Sequence, residues 1–229
     1  MIYLDRRGFP QEKHGDQGDS AVREGLLALT ADTYTDVASY ESSWGMLCRS
    51  PNQYPWNNSL NFTRDQLLPL VAGLNARGKH DVIRRVFVMH LLRLGFCQDF
   101  QRDKPGTWKK PWPSTYINDH GQAVSKSFDF ADPLLPNHWW VLIKGGKLWP
   151  LYMLYPFCFF FVLISILGSG LPNTEQNQIV SELSMHPNFV TKLYVLLNPK
   201  WNTSNYEYWQ SRDEVEYAER IEAWIKTRL

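Results

Sequence analysis

The sequence predicts a mainly α-helical single domain, either a helical bundle or an incomplete (α/α) toroid, with one long irregular loop. Two observations carry that expectation. Apolar residues recur at three- and four-residue spacing in several segments, and helix-start signals precede the first of them at Ser20 and Arg64. No repeat at solenoid spacing and no low-complexity tract offers another architecture. At 229 residues with 44% hydrophobic content, the chain can supply one continuous core.

The elements follow in order. A turn-rich opening leads to a first helix over 20–33, and 35–44 is expected to form a second. The Pro- and Asn-rich stretch 49–61 reads as loop. Helices over 64–76 and 79–95 flank Arg77-Gly78, a natural C-cap and turn. In the second of these, Val82, Ile83, Val86, Phe87, His90, Leu91 and Leu94 make a wide apolar face, with His90 expected as a hydrogen-bonded core residue. The stretch 98–136 carries Pro105, Pro111, Pro113, Pro133 and Pro136 among polar and aromatic residues. Excursions of that length serve as lids, binding loops or partner-contacting arms, or simply as surface loops pinned by their own Trp108, Trp112 and Tyr116.

The run 148–174 has no charged residue. Its centre, Phe157 to Leu167, suits either a helix buried among others or, through 148–171, a membrane segment flanked by Lys144 and Lys147, with Trp139, Trp140 and Trp149 as an interface belt. Helices are then expected over 174–185, 188–197 and 213–226. The last has an apolar stripe of Val215, Ala218, Ile221, Trp224 and Ile225.

Charge and motif content exclude several function classes. The 24 Lys and Arg nearly balance 23 Asp and Glu, so no global field gathers a polyanion, and nucleic acid is not an expected partner. Cys48, Cys97 and Cys158 are too few and scattered for a disulfide scaffold, and the six histidines lack zinc-ligand spacing; no metal and no cofactor are expected. P-loop, dinucleotide and nucleophile-elbow motifs are absent. The N-terminus becomes charged at Asp5-Arg6-Arg7 before any apolar run, which argues for a cytoplasmic or virion-associated protein over a conventionally secreted one.

One pattern looks like a site. Asp16, Asp19 and Arg23 mark one helix start, and Arg64, Asp65 and Gln66 mark another. If the two starts meet, Asp19 and Asp65 become the candidate catalytic pair. Asp16, Arg23, Arg64 and Gln66, with Trp108 and Trp112 as stacking platforms, become candidate substrate contacts. Glycoside hydrolysis uses such a pair, one carboxyl as acid and one as base or nucleophile. Helix capping with Arg salt bridges accounts for the same acids without any chemistry.

The run Asp16-x-Gly18-Asp19-Ser20-Ala21-x-Arg23-x-Gly25 and the Thr63-Arg64-Asp65-Gln66 helix start resemble a little-characterised group of bacterial and tailed-phage proteins, over about a quarter of the chain. Thr63 stands where that group has Ser, which keeps a hydroxyl. The Arg-Asp pair opening an inner helix is also loosely similar to helical-toroid carbohydrate-active enzymes. These resemblances imply Asp19, Arg23, Arg64 and Asp65 as cleft residues and a glycan as partner. The alternative is a non-catalytic assembly component of a phage virion or bacterial envelope, with protein partners or a membrane met through 148–171.

Overall fold

The computed structural model describes residues 1–30, 33–93, 95, 108–109, 115–117, 120–125, 127–128, 134–168, 172–185, 189–197 and 206–229. The chain is mainly helical, as its periodicity predicts. A short hairpin, β1 (Tyr3–Leu4) with β2 (Pro10–Gln11), leads into α1 (Ser20–Leu29). A 3-10 turn (Val37–Tyr40) runs into the hairpin β3 (Glu41–Ser43) and β4 (Met46–Leu47). Then come α2 (Arg64–Ala76) and α3 (His80–Leu92). The long excursion holds two antiparallel pairs, β5 (Trp108–Lys109) with β8 (Ser127–Phe128) and β6 (Thr115–Ile117) with β7 (Ala123–Ser125). Next are α4 (Pro136–Gly145), a 3-10 helix (Trp149–Leu154), α5 (Tyr155–Gly168), α6 (Pro172–Met185), α7 (Phe189–Leu197), a helical turn over 206–211, and α8 (Val215–Lys226).

At the centre is α2, which is apolar all round: Leu67, Leu68, Leu70, Val71, Ala72 and Leu74 are all buried. It packs against α1, α3, α4 and α6. A helix without a polar face has to be enclosed in this way. One core cluster joins α2 to Val82, Ile83, Val86 and Phe87 of α3, to Trp140 and Leu142 of α4, and to Cys158, Val162 and Ile166 of α5. A second packs Leu26 and Leu27 of α1 against Ile179, Val180 and Leu183 of α6 and the α8 stripe Tyr217, Ala218, Ile221, Trp224 and Ile225. Sandwiched between the two clusters, α1 ties the N-terminal and C-terminal thirds together.

α1 and α2 run in parallel, since contacts advance together along both: Asp19 lies beside Gln66, and Gly25 beside Pro69 and Gly73. The backbones touch. A Cβ on Gly73 would stand 2.8 Å from the Gly25 Cα, and a Cβ on Gly25 would overlap the Pro69 carbonyl. Glycine at both places is what lets two helix starts lie side by side.

Three expectations are corrected. The segment 35–44 is not a second helix. Asp36 accepts from the Ala38 amide at 3.0 Å, and Glu41 takes the Gly45 amide at 2.8 Å and both ends of Arg85 on α3 at 2.7 and 2.6 Å, so local polar bonds and a left-handed Gly45 hold a hairpin there. Trp140 does not stand in an exposed belt with Trp149: it lies on α4, where Pro136 starts the helix, and is buried on Tyr155 with ring centroids 4.9 Å apart. Finally, 148–171 does not make one long helix, because Pro150 and Pro156 confine it to a 3-10 helix followed by the 14-residue α5. Among the described residues no helix is long and apolar enough to cross a membrane.

Glu24 of α1 is buried, and among the described residues neither carboxyl oxygen has a hydrogen-bond partner. Desolvation raises its pKa from 4.5 to about 7, with Asp36 adding to the rise and Thr35 and Arg77 opposing it. A carboxyl that holds its proton more tightly when folded contributes stability fully below pH 4.5 and loses it as pH rises through about 7. Over that window the loss is about 3 kcal/mol. Glu24→Gln should therefore raise the Tm at pH 8 and leave it nearly unchanged at pH 5, measured by thermal unfolding at both values. An equal change at the two pH values would refute a titrating Glu24.

Candidate functional site

The two helix starts identified from sequence meet. Gln66, fully buried on the first turn of α2, donates from Nε2 to the Gly18 carbonyl at 2.8 Å and to Asp19 Oδ1 at 3.3 Å. Asp19 is also held by Arg212 NH1 at 3.0 Å from its Oδ2 and by Arg49 NH2 at 3.6 Å from its Oδ1. Neither Asp19 nor Thr63 caps its helix through its side chain, and Asp19 pairs with Arg49 and Arg212 instead. Two helix N-termini pointing at one spot add the positive ends of two dipoles to the arginines around Asp19.

Asp65 lies one residue before Gln66 and is exposed. Its pKa is nevertheless raised. Desolvation by the surrounding protein is the largest cause and the nearby Asp19 charge adds to it, while Thr63 and Arg49 pull the other way. Desolvation carries the rise, because the Thr63 hydrogen bond, which lowers the pKa, outweighs the repulsion from Asp19. The result is an unequal pair: Asp19 is clamped by guanidinium groups, and Asp65 is biased toward its protonated form. Pro69, four residues on in α2, lacks the N–H that an unbroken helix would offer the Asp65 carbonyl.

The remaining candidates fall in different places. Asp16 is exposed and accepts from the Gly18 amide at 2.6 Å, a turn that sets the approach to Asp19. Arg23 is fully buried one turn into α1. It meets Glu214 through Nε at 3.1 and 3.2 Å and through NH2 at 2.9 Å, and so joins α1 to the chain entering α8 from beneath the site. Arg64 is half-buried on the side of α4, where its charge, after desolvation, helps lower the buried His138 to about 3. Trp108 pairs with Phe128 along the β5–β8 ladder, but its side chain and the whole of Trp112 lie outside the described residues.

Several site residues escaped sequence reading. Arg49 is central: it donates from Nε to the Gly18 carbonyl at 2.7 Å and from NH1 to Asn61 Oδ1 at 3.3 Å, and its guanidinium lies 4.6 Å from the Trp56 ring centroid. Arg212 bridges Asp19 to Glu12, and it lies over Tyr208 at 4.8 Å. Asn61 also donates to the Ile117 carbonyl at 2.8 Å, and the Tyr54 hydroxyl donates to the Gly121 carbonyl at 2.5 Å. The β6–β7 hairpin of the long excursion is therefore docked on the loop that carries Arg49. Among the described residues no group of three or more His, Cys, Asp or Glu is arranged to hold a metal ion.

His90 and His138 are both buried and lie close together. Leu135 donates its amide to His138 Nδ1 at 2.9 Å, so the His138 proton sits on Nε2. Both imidazoles stay neutral down to about pH 3, which fits core residues of α3 and α4 better than bases. No protein-family model, curated protein or solved structure matches this chain.

Proposed function

We propose that the site at the joined starts of α1 and α2 binds a glycan and hydrolyses it, with Asp65 as general acid and Asp19, held by Arg49 and Arg212, as the second carboxyl. The observation that carries this reading is the unequal environment of the two carboxyls: one held by Arg49, Arg212 and Gln66, the other pushed toward protonation by desolvation of its carboxyl and by its neighbour's charge. Two carboxyls in unlike surroundings divide acid and base roles between them. Asp16, exposed at the turn before Asp19, and Arg64, half-buried on the α4 side, are the proposed contacts for substrate hydroxyls. Arg23, buried on Glu214, acts by holding α1 in place.

The test is release of reducing ends from a panel of neutral and amino-sugar oligosaccharides. Wild type should cleave a member of the panel, and Asp65→Asn should lower the rate about 100-fold or more while binding persists. Activity should fall as pH rises above the Asp65 pKa, because a general acid works only while protonated. Absence of both cleavage and binding across the panel would end the glycan reading.

A second reading, a non-catalytic component of a larger assembly, draws on a different observation: a broad apolar face on α5 and α7 exposed to solvent. Faces of that kind on a soluble domain mark association surfaces.

A further inference from the structure

α5 buries only one side. Cys158, Val162 and Ile166, four residues apart, face the core, while Phe157, Phe160, Ile164 and Leu167 form a second stripe that is 61%, 58%, 49% and 68% exposed. α7 packs beside it and continues the surface through Phe189, Leu193, Leu196 and Leu197, with an apolar groove of about 310 Å³ between Leu167 and the α7 residues Val190, Leu193, Tyr194 and Leu197. At the N-terminal end of α5 the surface extends to Trp149 and Met153, which are 76% and 81% exposed. Burying so much apolar surface elsewhere would stabilise the molecule by many kcal/mol at roughly 25 cal/mol per Å².

The charges around this face point to its occupant. No charged residue occurs from 148 to 174. At the edge nearest Trp149 lie three cations: Lys147, exposed; Arg84, exposed and donating from Nε to the Gly146 carbonyl at 2.8 Å; and Lys144, whose ammonium lies 4.6 Å from the Tyr152 ring centroid. Apolar and aromatic side chains bordered by cations match the boundary between acyl chains and anionic headgroups. At 14 residues α5 is about 21 Å long at 1.5 Å per residue, too short for a hydrocarbon core of roughly 30 Å. It suits lying flat in the interface.

We propose that the α5–α7 face docks on the surface of an anionic lipid bilayer, inserting Trp149, Phe157, Phe160 and Leu196 to the acyl boundary while Arg84, Lys144 and Lys147 meet the headgroups. This inference rests on the association reading and commits it to lipid; it is independent of the glycan site. The experiment is sedimentation of the full chain with vesicles of phosphatidylcholine alone and of phosphatidylcholine with about 30% phosphatidylglycerol, alongside sedimentation equilibrium without lipid. Binding should favour the anionic vesicles and weaken with salt. Phe160→Asp with Leu196→Asp should reduce it at least about tenfold, and Lys144→Glu with Lys147→Glu should remove the anionic preference. Phe160, Leu196 and Lys147 are exposed and Lys144 is half-buried against Tyr152, so an unchanged circular-dichroism melt of each variant controls for folding. Failure to bind either vesicle, with self-association that the Asp variants abolish, overturns the lipid proposal and assigns the face to a second copy. Failure of both overturns the association reading as well.

Discussion

Arg23→Met is expected to cost about 3–5 kcal/mol of folding stability, because it leaves the Glu214 carboxylate buried without its counter-charge. Both side chains are fully enclosed, and the guanidinium grips the carboxylate through two nitrogens. Burial works against the charge on Arg23, yet Glu214 more than reverses that and holds it protonated. Arg23 NH1 is itself a buried donor with no hydrogen-bond acceptor among the described residues, so the pair is costly to enclose and more costly to break. The double replacement Arg23→Met with Glu214→Leu should recover most of the loss, since apolar groups of similar volume suit a closed space. Urea unfolding of the two single variants and the double variant measures the coupling. Additive losses in the double variant would show that the pair is not the unit holding α8 to α1.

The second large effect is expected at Gly25. Alanine there would place its Cβ inside the Pro69 carbonyl, with the Leu70 amide 2.7 Å away. The obstruction is backbone of the central helix, which cannot rotate aside as a side chain can, so the helices must separate. Gly25→Ala should destabilise by about 3 kcal/mol, at the upper end of ordinary overpacking. It should also disturb the site selectively, because moving α1 off α2 breaks the contacts of Gln66 with Gly18 and Asp19. Gly78→Ala offers the contrast: nothing lies within 4 Å of its Cβ, and only the positive φ of 69° opposes it. A Gly25→Ala protein as stable as wild type would mean that the two helices do not pack this closely.

Much of the candidate site was legible because its parts are local. Asp19 and Asp65 stand next to helix-start signals, and hydrophobic periodicity placed the starts of α1 and α2 at Ser20 and Arg64, where they are found. The helices themselves gave no sign that they lie parallel; the close Gly25–Gly73 approach decides that. Arg49 and Arg212 were invisible for another reason. Each sits in a stretch without periodic pattern, and Arg212 reaches Asp19 across 193 positions of chain. Long-range ion pairs leave no spacing to read. Glu214 likewise looks like any acid at a helix start, and it becomes the partner of Arg23 only because α8 returns to α1.

The apolar run through α5 shows the same division. Composition alone pointed to an apolar helix within 148–174, since a long uncharged stretch rich in Phe, Leu and Ile can close its backbone hydrogen bonds within one helix. Whether it spanned a bilayer, filled a core or faced outward depended on its neighbours: Pro150 and Pro156 shorten the helix, α4 covers one side, and the other stays open. The sequence by itself determined the helical class and the two acidic helix starts, both set by interactions within a few residues. Tertiary structure alone decided that the starts share one site, that Arg23 is buried beneath it, and that α5 and α7 leave an apolar face exposed, because those outcomes depend on which distant surfaces pack together.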